Sequence, residues 1–285
     1  MKNKRCAIII PLYTLNLSKN EMISLKQGFT QLAKYDIYFV VPNDDRAVEI
    51  PRSLLPLKPK ATITFNANYF KSITGYNRLM MSPNFYNAFK GYEYVLIYQT
   101  DAYVFSGNLD YWCEKGYDYV GAPWFKTKEY QSDLEKAFIG VGNGGLSLRK
   151  TNSMLKVLNT FKYIYSSKEC IQFLKSKKDV GTIKKILSLI KSFTVSNNFH
   201  HLFNNFGNNE DYFWGIYVPK SFAWYKTPDM TTGLQFSFEK RVAESYELNN
   251  KSLPMGCHKW WNDDVIDFWK VHIPFPKDAK QKNAE

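Results

Sequence analysis

The sequence lacks the features of several common protein classes. No stretch approaches the roughly 20 consecutive apolar residues that a membrane-spanning helix needs. The apolar residues 7–10 near the N-terminus form too short a run for a signal peptide, and Pro11 follows them. The four cysteines are scattered along the chain and form no C-x-x-C pair. We therefore predict a cytoplasmic protein with reduced thiols and without a disulfide framework.

Two phosphate-binding motifs are also missing. No G-x-G-x-x-G follows the first predicted strand, and no G-x-x-x-x-G-K-S/T occurs, which counts against dinucleotide cofactors and P-loop enzymes. The net charge of +12 is compatible with three kinds of binding partner, which are nucleic acid, an anionic membrane surface and phosphorylated substrates. Because no nucleic-acid-binding motif is visible, we expect no nucleic acid, and a basic nucleic-acid-binding protein is kept as an alternative.

The composition predicts a globular chain with a large core. Hydrophobic residues make up 45% of the 285 positions and aromatic residues 17%, which excludes a disordered protein. There is no internal repeat and no linker long enough to separate independent domains. We predict one domain at 1–276, built from halves at 1–105 and 106–276, and a disordered tail at 277–285.

The first half alternates apolar strands with helices. The pattern predicts strands at 6–13, 35–41, 61–65 and 94–105, with helices at 18–34 and 76–92 between them. This order is typical of a Rossmann-like α/β fold with a parallel sheet. Asp101 interrupts the last of these strands, and a buried carboxylate needs a metal, a cation or an exit to solvent. Ligands of open α/β sheets bind at the carboxyl ends of strands, so Asp101 is a candidate binding residue.

Four polar features follow one another along the chain. They are Gln99-Thr-Asp101, the glycine-rich segment 142–145, the acidic pair Glu210-Asp211, and His258. Each has an ordinary structural explanation when it is taken alone. A glycine-rich segment can be a turn, two acids can cap a helix, and a histidine beside tryptophans can be a hydrogen-bonded core residue.

Their order resembles the GT-A glycosyltransferases. In that family an aspartate motif closes a nucleotide-binding half, and a Gly-Gly segment, an E-D motif and a late histidine follow. The chain is also similar to uncharacterised bacterial proteins grouped as glycosyltransferases of polysaccharide loci, through Q-T-D-A, Y-D-Y-V-G-A-P-W, G-N-G-G-L-S-L-R, E-D-x-F-W and C-H-K-W. The β-1,3-galactosyltransferase-like branch is a more distant resemblance. The resemblance implies an α/β fold, with a GT-A-like Rossmann-type half, a mixed central sheet and a fused acceptor half.

The resemblance also implies roles for individual residues. Asp211 would be the base of an inverting transfer, and Glu210 would bind sugar hydroxyls. Asp101 and His258 would hold a divalent metal, Mn²⁺ or Mg²⁺, on the donor diphosphate. The remaining donor-binding candidates are Tyr13, Asn77, Arg78, Gly144 and Gly145. The acceptor-binding candidates are Trp124, Trp214 and Trp260, each of which could equally be a core residue.

The aspartate motif departs from the family pattern. Its second acidic position is Tyr103, and a phenol is a poor ligand for hard cations. Metal binding by Asp101 and His258 is still expected. There are two alternatives. Asp101 contacts the metal only through water, or basic residues take the place of the metal.

The predicted function is therefore transfer of a sugar from a nucleotide-sugar donor, of the uridine-diphosphate type, to a glycan or lipid-linked saccharide acceptor in surface polysaccharide or lipopolysaccharide synthesis. A sugar nucleotidyltransferase is an alternative, although 11–15 lacks the basic glycine-rich loop usual in that class. A third alternative is an inactive sugar-binding relative, because of Tyr103. The lysine-rich segment 168–191 is interpreted as a surface helix with its apolar side on the core. The alternative interpretation is that this segment contacts the anionic inner face of the cell membrane peripherally.

Overall fold

A six-stranded mixed sheet organises the chain. The computed structural model describes residues 4–44, 57–126, 137–163, 166–176, 181–193, 198–199 and 206–276. The tail predicted at 277–285 lies outside the described residues. The strands are β1 Lys4–Pro11, β2 Asp36–Pro42, β3 Ala61–Phe65, β4 Tyr92–Tyr98, β5 Ala102–Val104, β6 Tyr119–Val120, β7 Ala122–Phe125, β8 Phe138–Gly142, β9 Leu146–Lys150, β10 Ser237–Phe238 and β11 Gly256–His258. The helices are α1 Lys19–Gln31, α2 Ile73–Met80, α3 Pro83–Ala88, α4 Leu109–Glu114, α5 Thr151–Leu158, α6 Ser167–Ser176, α7 Thr182–Phe193, α8 Glu210–Tyr212, α9 Val218–Ser221, α10 Met230–Phe236, α11 Val242–Leu248 and α12 Ile266–Trp269.

The main sheet has the order β3-β2-β1-β4-β9-β6. Strands β1 to β4 are parallel, whereas β9 runs antiparallel to both β4 and β6. The apolar runs of β1 and β4 are buried on both faces, as expected for central strands covered by helices. The predicted α/β fold with a mixed central sheet is confirmed.

Alternate residues of β1 belong to two different cores. Ile8 and Ile10 pack in a cluster with residues of α1 and α4, whereas Ala7 and Ile9 pack in a cluster with residues of α2, α3 and α5. This alternation follows from the two-residue period of a strand, which points successive side chains to opposite faces. The central sheet is therefore covered by helices on both sides.

The stretch predicted as one interrupted strand at 94–105 forms two strands in different sheets. The first is β4 of the main sheet. The second, β5, pairs antiparallel with β11, and β11 pairs parallel with β10. In this register His258 lies opposite Ala102, immediately after Asp101. The change of sheet therefore brings the late histidine to the end of the central strand.

Local signals explain several helix boundaries. Ser18 and Glu21 form the predicted capping box at the start of α1. Pro83 opens α3, so the helical stretch predicted at 76–92 consists of two short helices. The predicted packing of α7 on the core is wrong, since Ile183 is 76% exposed and Leu187 54%. None of the helices in the described ranges is long and apolar enough to cross a bilayer.

Candidate active site

A cavity of about 410 Å³ opens at the carboxyl ends of β1 and β4. Tyr13 follows β1 and Gln99 follows β4, and both side chains line the cavity. The strand order reverses between these two strands, because β2 and β3 lie beyond β1 whereas β9 and β6 lie beyond β4. Ligands of open α/β sheets bind at such a switch point. The position of the cavity therefore makes it the candidate active site.

His258 lies between two carboxylates at one wall of the cavity. Its Nε2 is 3.0 Å from Oδ1 of Asp101, and its Nδ1 is 3.3 Å from Oε1 of Glu239. Burial alone would lower the pKa of His258, but the two carboxylates outweigh this effect and raise it to about 9. Burial alone would raise the pKa of Asp101, and the neighbouring His258 instead holds it below the ordinary value.

Lys259 adds a second cationic group to the same wall. Its backbone is left-handed, with φ of 56°, which is uncommon for a residue other than glycine. Its N–H donates to the carbonyl oxygen of Asp101 at 2.9 Å, and its Nζ donates to Glu239 Oε1 at 3.1 Å. Burial alone would lower the pKa of Lys259, but the charge of Glu239 raises it above the ordinary value. Lys259 is therefore charged at neutral pH and lines the cavity.

Glu239 holds both of these cationic side chains. It also accepts a hydrogen bond from the indole Nε1 of Trp124 at 3.0 Å. Burial would raise the pKa of Glu239, but the bonds from His258, Lys259 and Trp124 hold it well below the ordinary value. A buried carboxylate with three donors stays ionised, so it fixes the positions of His258 and Lys259.

Gly144 and Gly145 leave space for the side chains of Glu210 and His258. A Cβ at Gly145 would lie 2.0 Å from Nε2 of His258, and a Cβ at Gly144 would lie 2.4 Å from Oε1 of Glu210. Both distances are far shorter than a van der Waals contact. Glycine is therefore needed at both positions for these side chains to reach the cavity.

The acidic pair begins α8, which continues as a π-helical turn over Phe213–Tyr217. Asp211 Oδ2 accepts the backbone N–H of Gly144 at 3.1 Å, and Oδ1 accepts that of Tyr212 at 2.9 Å. Burial and the nearby Glu239 raise the pKa of Asp211 despite these two bonds. Asp211 is thus a buried, oriented carboxylate that binds protons more tightly than a free aspartate does.

Glu210 forms an ion pair with Arg149 inside the protein. Arg149 Nη2 donates to Glu210 Oε1 at 2.9 Å, and the two side chains are 0% and 2% exposed. Burial raises the pKa of Glu210 to about 7, against the attraction of Arg149. Its other oxygen, Oε2, has no hydrogen-bond partner among the described residues. Glu210 lines the cavity, but Oε2 itself is buried, and an unpaired buried carboxylate oxygen is unusual in a folded protein.

The other predicted donor-binding residues differ in their placement. Tyr13 is 44% exposed, and its ring packs beside those of Phe70 and Tyr76 at the cavity. Asn77 also lines the cavity, and its side chain contacts Asn209 and the backbone N–H of Glu210. Arg78 is exposed on α2 and does not line the cavity. The structure therefore brings Tyr13 and Asn77 to the site but leaves Arg78 outside it.

Two of the three tryptophans predicted to bind the acceptor are core residues. Trp214 and Trp260 are fully buried, and their indole N–H groups donate to Met80 O at 3.1 Å and Ser24 Oγ at 2.8 Å. A ring enclosed on both faces cannot stack on a sugar, so the prediction for these two residues is wrong. Trp124 is half-buried beside Glu239 and does not line the cavity, and its role in acceptor binding stays a prediction.

Residues 60–258 match the family model described as "Protein of unknown function (DUF5672)". This range covers more than half of the chain. The chain belongs to the DUF5672 family. The matched range contains Asp101, Gly144-Gly145, Glu210-Asp211 and His258, whereas Tyr13 and Lys259 of the DUF5672 chain lie outside it. No curated protein matches the sequence.

Several solved structures are remotely similar to this DUF5672 protein. Mouse xyloside xylosyltransferase 1 in its apo form is 10% identical, with 96% of this chain and 99% of that chain covered and a TM-score of 0.48. The galactosyltransferase LgtC in complex with donor and acceptor sugar analogues is 13% identical, with 95% and 98% covered and a TM-score of 0.42. A glycosyltransferase involved in glycosylation of the major capsid of PBCV-1 is 11% identical, with 94% and 99% covered and a TM-score of 0.41.

A divalent ion at the DUF5672 site would have two candidate protein ligands, Asp101 and His258. The described residues contain no group of three or more His, Cys, Asp and Glu side chains that could hold a metal. Asp101 Oδ1 and His258 Nε2 are nevertheless adjacent, and Glu239 at Nδ1 is the second carboxylate that orients a metal-binding imidazole. Tyr103 packs against Trp260 and Phe105 and offers no third ligand. The remaining ligands would have to come from a bound diphosphate and water.

Four residues of the DUF5672 site have no individual role among the predictions from sequence. They are Gln99, Lys259, Glu239 and Arg149. Gln99 is part of the aspartate motif, and Lys259 directly follows His258, so proximity to a motif could have found both. Glu239 and Arg149 become recognisable only through partners 20 and 61 positions away along the chain.

Proposed function

We propose that this protein is a glycosyltransferase that takes its sugar from a nucleotide-sugar donor. The observation that carries the proposal is one cavity lined both by a cationic wall of His258 and Lys259 and by the buried carboxylates of Glu210 and Asp211. Transfer of a sugar needs both, because charge grows on a leaving phosphate while a proton leaves the attacking hydroxyl. The position of the cavity at the reversal of strand order favours a nucleotide as the carrier.

In this proposal the cationic wall binds the diphosphate. The bond between the anomeric carbon and the phosphate oxygen breaks, and its electron pair goes to the diphosphate. The ammonium of Lys259 is positioned by Glu239 to interact with that growing negative charge. A divalent ion held by Asp101 and by the neutral form of His258, in place of the imidazolium proton, would neutralise the same charge when bound. Lys259 is thus a basic residue of the kind expected in the alternative in which basic residues take the place of the metal.

Asp211 is the proposed base. It takes the proton of the acceptor hydroxyl while the hydroxyl oxygen forms its bond to the anomeric carbon. The proton moves to Asp211 and the electron pair of the broken bond moves to the diphosphate, so charge is conserved in the step. Its raised pKa suits this role, since a base works best when its pKa lies closer to the working pH. The hydrogen bonds from Gly144 and Tyr212 fix its orientation. An inverting transfer is the mechanism that requires such a base.

Glu210 and Tyr13 are the proposed binding residues for the rest of the donor. The unpaired oxygen of Glu210 accepts a sugar hydroxyl, because leaving it unpaired in a complex would cost about 1–3 kcal/mol. The partly exposed ring of Tyr13 offers a face on which a base can stack. A uridine-diphosphate sugar as donor, and a glycan or lipid-linked saccharide of surface polysaccharide or lipopolysaccharide as acceptor, belong to the same proposal.

A thermal-shift panel of nucleoside diphosphates and nucleotide sugars, with and without Mn²⁺, tests the proposal. A ligand at about 100 times its Kd stabilises the native state by about 2.7 kcal/mol, which is a readily measured shift. We expect a shift with at least one nucleotide sugar, lost in Asp101→Ala and retained in the exposed control Asp264→Ala. A salt-dependent shift with DNA or RNA, and none with nucleotides, would contradict the proposal.

A further inference from the structure

Helix α7 presents an apolar side to solvent. Ile183, Ile186 and Leu187 are 76%, 53% and 54% exposed. Their spacing of three and four positions places them on one side of the helix. Burial of one such side chain stabilises a structure by about 1.5–3 kcal/mol, so the helix forgoes a large gain in the isolated chain. Single exposed apolar residues are ordinary, but a cluster of them marks a contact surface.

The surface extends beyond α7. Helix α6 packs against α7, and Ile171 of α6 is also exposed. Phe161 and Tyr163, which precede α6, are 68% and 47% exposed. Seven of the thirteen large apolar side chains that are exposed among the described residues lie within 161–190. We use the name α6–α7 surface for the exposed apolar side chains of α7 together with Ile171 of the helix that packs against it.

The charge of this segment identifies the partner. Residues 168–191 contain seven lysines, against Glu169 and Asp179 as the acidic residues. Successive helical residues point about 100° apart, so Lys184 lies beside the apolar side of α7, next to Leu187, whereas Lys185 lies on the other side of the helix. Apolar side chains bordered by lysines match an anionic lipid surface, which offers acyl chains beneath negatively charged headgroups.

We propose that the α6–α7 surface docks the protein on anionic membranes. Helix α7 has twelve residues, which is about 18 Å of helix and too short to span a bilayer. It lies along the membrane plane, with Ile183, Ile186 and Leu187 among the acyl chains and the lysines at the headgroups. The docking uses none of the residues that line the cavity, so it can be tested independently of the proposed glycosyl transfer.

Vesicle co-sedimentation of the full-length protein tests the proposal. The probes are vesicles of phosphatidylcholine alone and of phosphatidylcholine mixed with phosphatidylglycerol. We expect binding to the mixed vesicles and little to the neutral ones. Ile183→Ser should weaken binding about ten-fold or more. Val271→Ser is the matched control, because Val271 is 78% exposed outside this surface, and it should bind as the wild type does.

A charge pair of variants tests the electrostatic part. Lys184→Gln should weaken binding about five-fold, and added salt should also weaken binding of the wild type. Lys26→Gln removes one charge at an exposed position away from the surface and should have a small effect. Circular dichroism confirms that each variant is folded.

Several results would overturn the proposal. They are no sedimentation with either vesicle, equal binding to neutral and anionic vesicles, or equal losses in the surface variants and their controls. Sedimentation velocity without lipid tests the alternative that a second copy of the chain binds the α6–α7 surface. A dimer that Ile183→Ser abolishes, in a protein that binds no vesicles, would assign the surface to self-association. Nucleotide-induced thermal shifts should be unchanged in Ile183→Ser, so failure here is distinguishable from failure of the proposed function.

Discussion

Gly145→Ala is the substitution that most directly disturbs the arrangement of the site. The new Cβ would lie 2.0 Å from His258 Nε2, 2.3 Å from Cδ2 and 2.5 Å from Cε1, whereas ordinary contacts begin at 3.4 Å. The imidazole nitrogen must therefore move by about 1.4 Å, the difference between 3.4 and 2.0 Å. His258 is 3% exposed and bonded to Glu239, so it has little space to move into. The overlap should lower the free energy of unfolding by about 1–3 kcal/mol.

The displacement of His258 should also slow the transfer reaction. A misplacement of about 1 Å at a reacting centre costs on the order of 100-fold in rate, so we expect about that loss in turnover of the nucleotide sugar. Turnover is measured as the release of nucleoside diphosphate, which is detected by chromatography. Gly91→Ala is the control, since a Cβ there meets nothing within 4 Å, and it should keep wild-type turnover. Wild-type turnover in Gly145→Ala would refute the placement of His258 in the site.

Two further predictions concern the acidic pair. Asp211→Asn should lower kcat by about 100-fold or more and change the donor Kd by less than about three-fold, because a base acts in the transition state; equal losses in calorimetric binding and in kcat would indicate a structural cap. Since the pKa of folded Glu210 is raised to about 7 from 4.5, the folded state holds this proton more tightly, and its contribution to stability falls as pH rises from about 4.5 to 7. Arg149→Met removes the charge that favours ionised Glu210, so it should cost about 3–5 kcal/mol at pH 8 and less at pH 5 in urea unfolding; a loss independent of pH would contradict the pairing.

The fold class and the order of the site motifs could be predicted from the sequence. Apolar runs such as the one that forms β1 have a clear strand signal, and Asp101 lies three residues after the end of another such run, β4. The structure places Gly145, Glu210 and His258 at one cavity, and Asp101 contacts His258 without lining the cavity itself. The local signals sufficed there because each residue lies at or beside the end of a strand or helix, positions that polar residues and glycine mark well.

Long-range packing decides the positions that were predicted wrongly or left without a role. The aromatic motifs that contain Trp214 and Trp260 look the same whether the ring faces a sugar or the core, and only tertiary contacts with Met80 and Ser24 show that it is the core. Glu239 is one acid among 26 acidic residues until Trp124, His258 and Lys259 are found around it. The apolar side of α7 has a helical period, which predicts a helix but not what covers it.

Binding of a nucleoside diphosphate to Lys259→Gln tests the central claim most directly. Isothermal titration, with and without Mn²⁺, compares this variant with Lys26→Gln, which removes an exposed lysine on α1. A hydrogen bond to a charged group contributes about 1.5–3 kcal/mol, so we predict about 10- to 150-fold weaker binding in Lys259→Gln and wild-type binding in Lys26→Gln. Equal affinities in the two variants, or no binding of any nucleoside diphosphate to the wild type, would contradict the assignment of this cavity to a nucleotide-sugar donor.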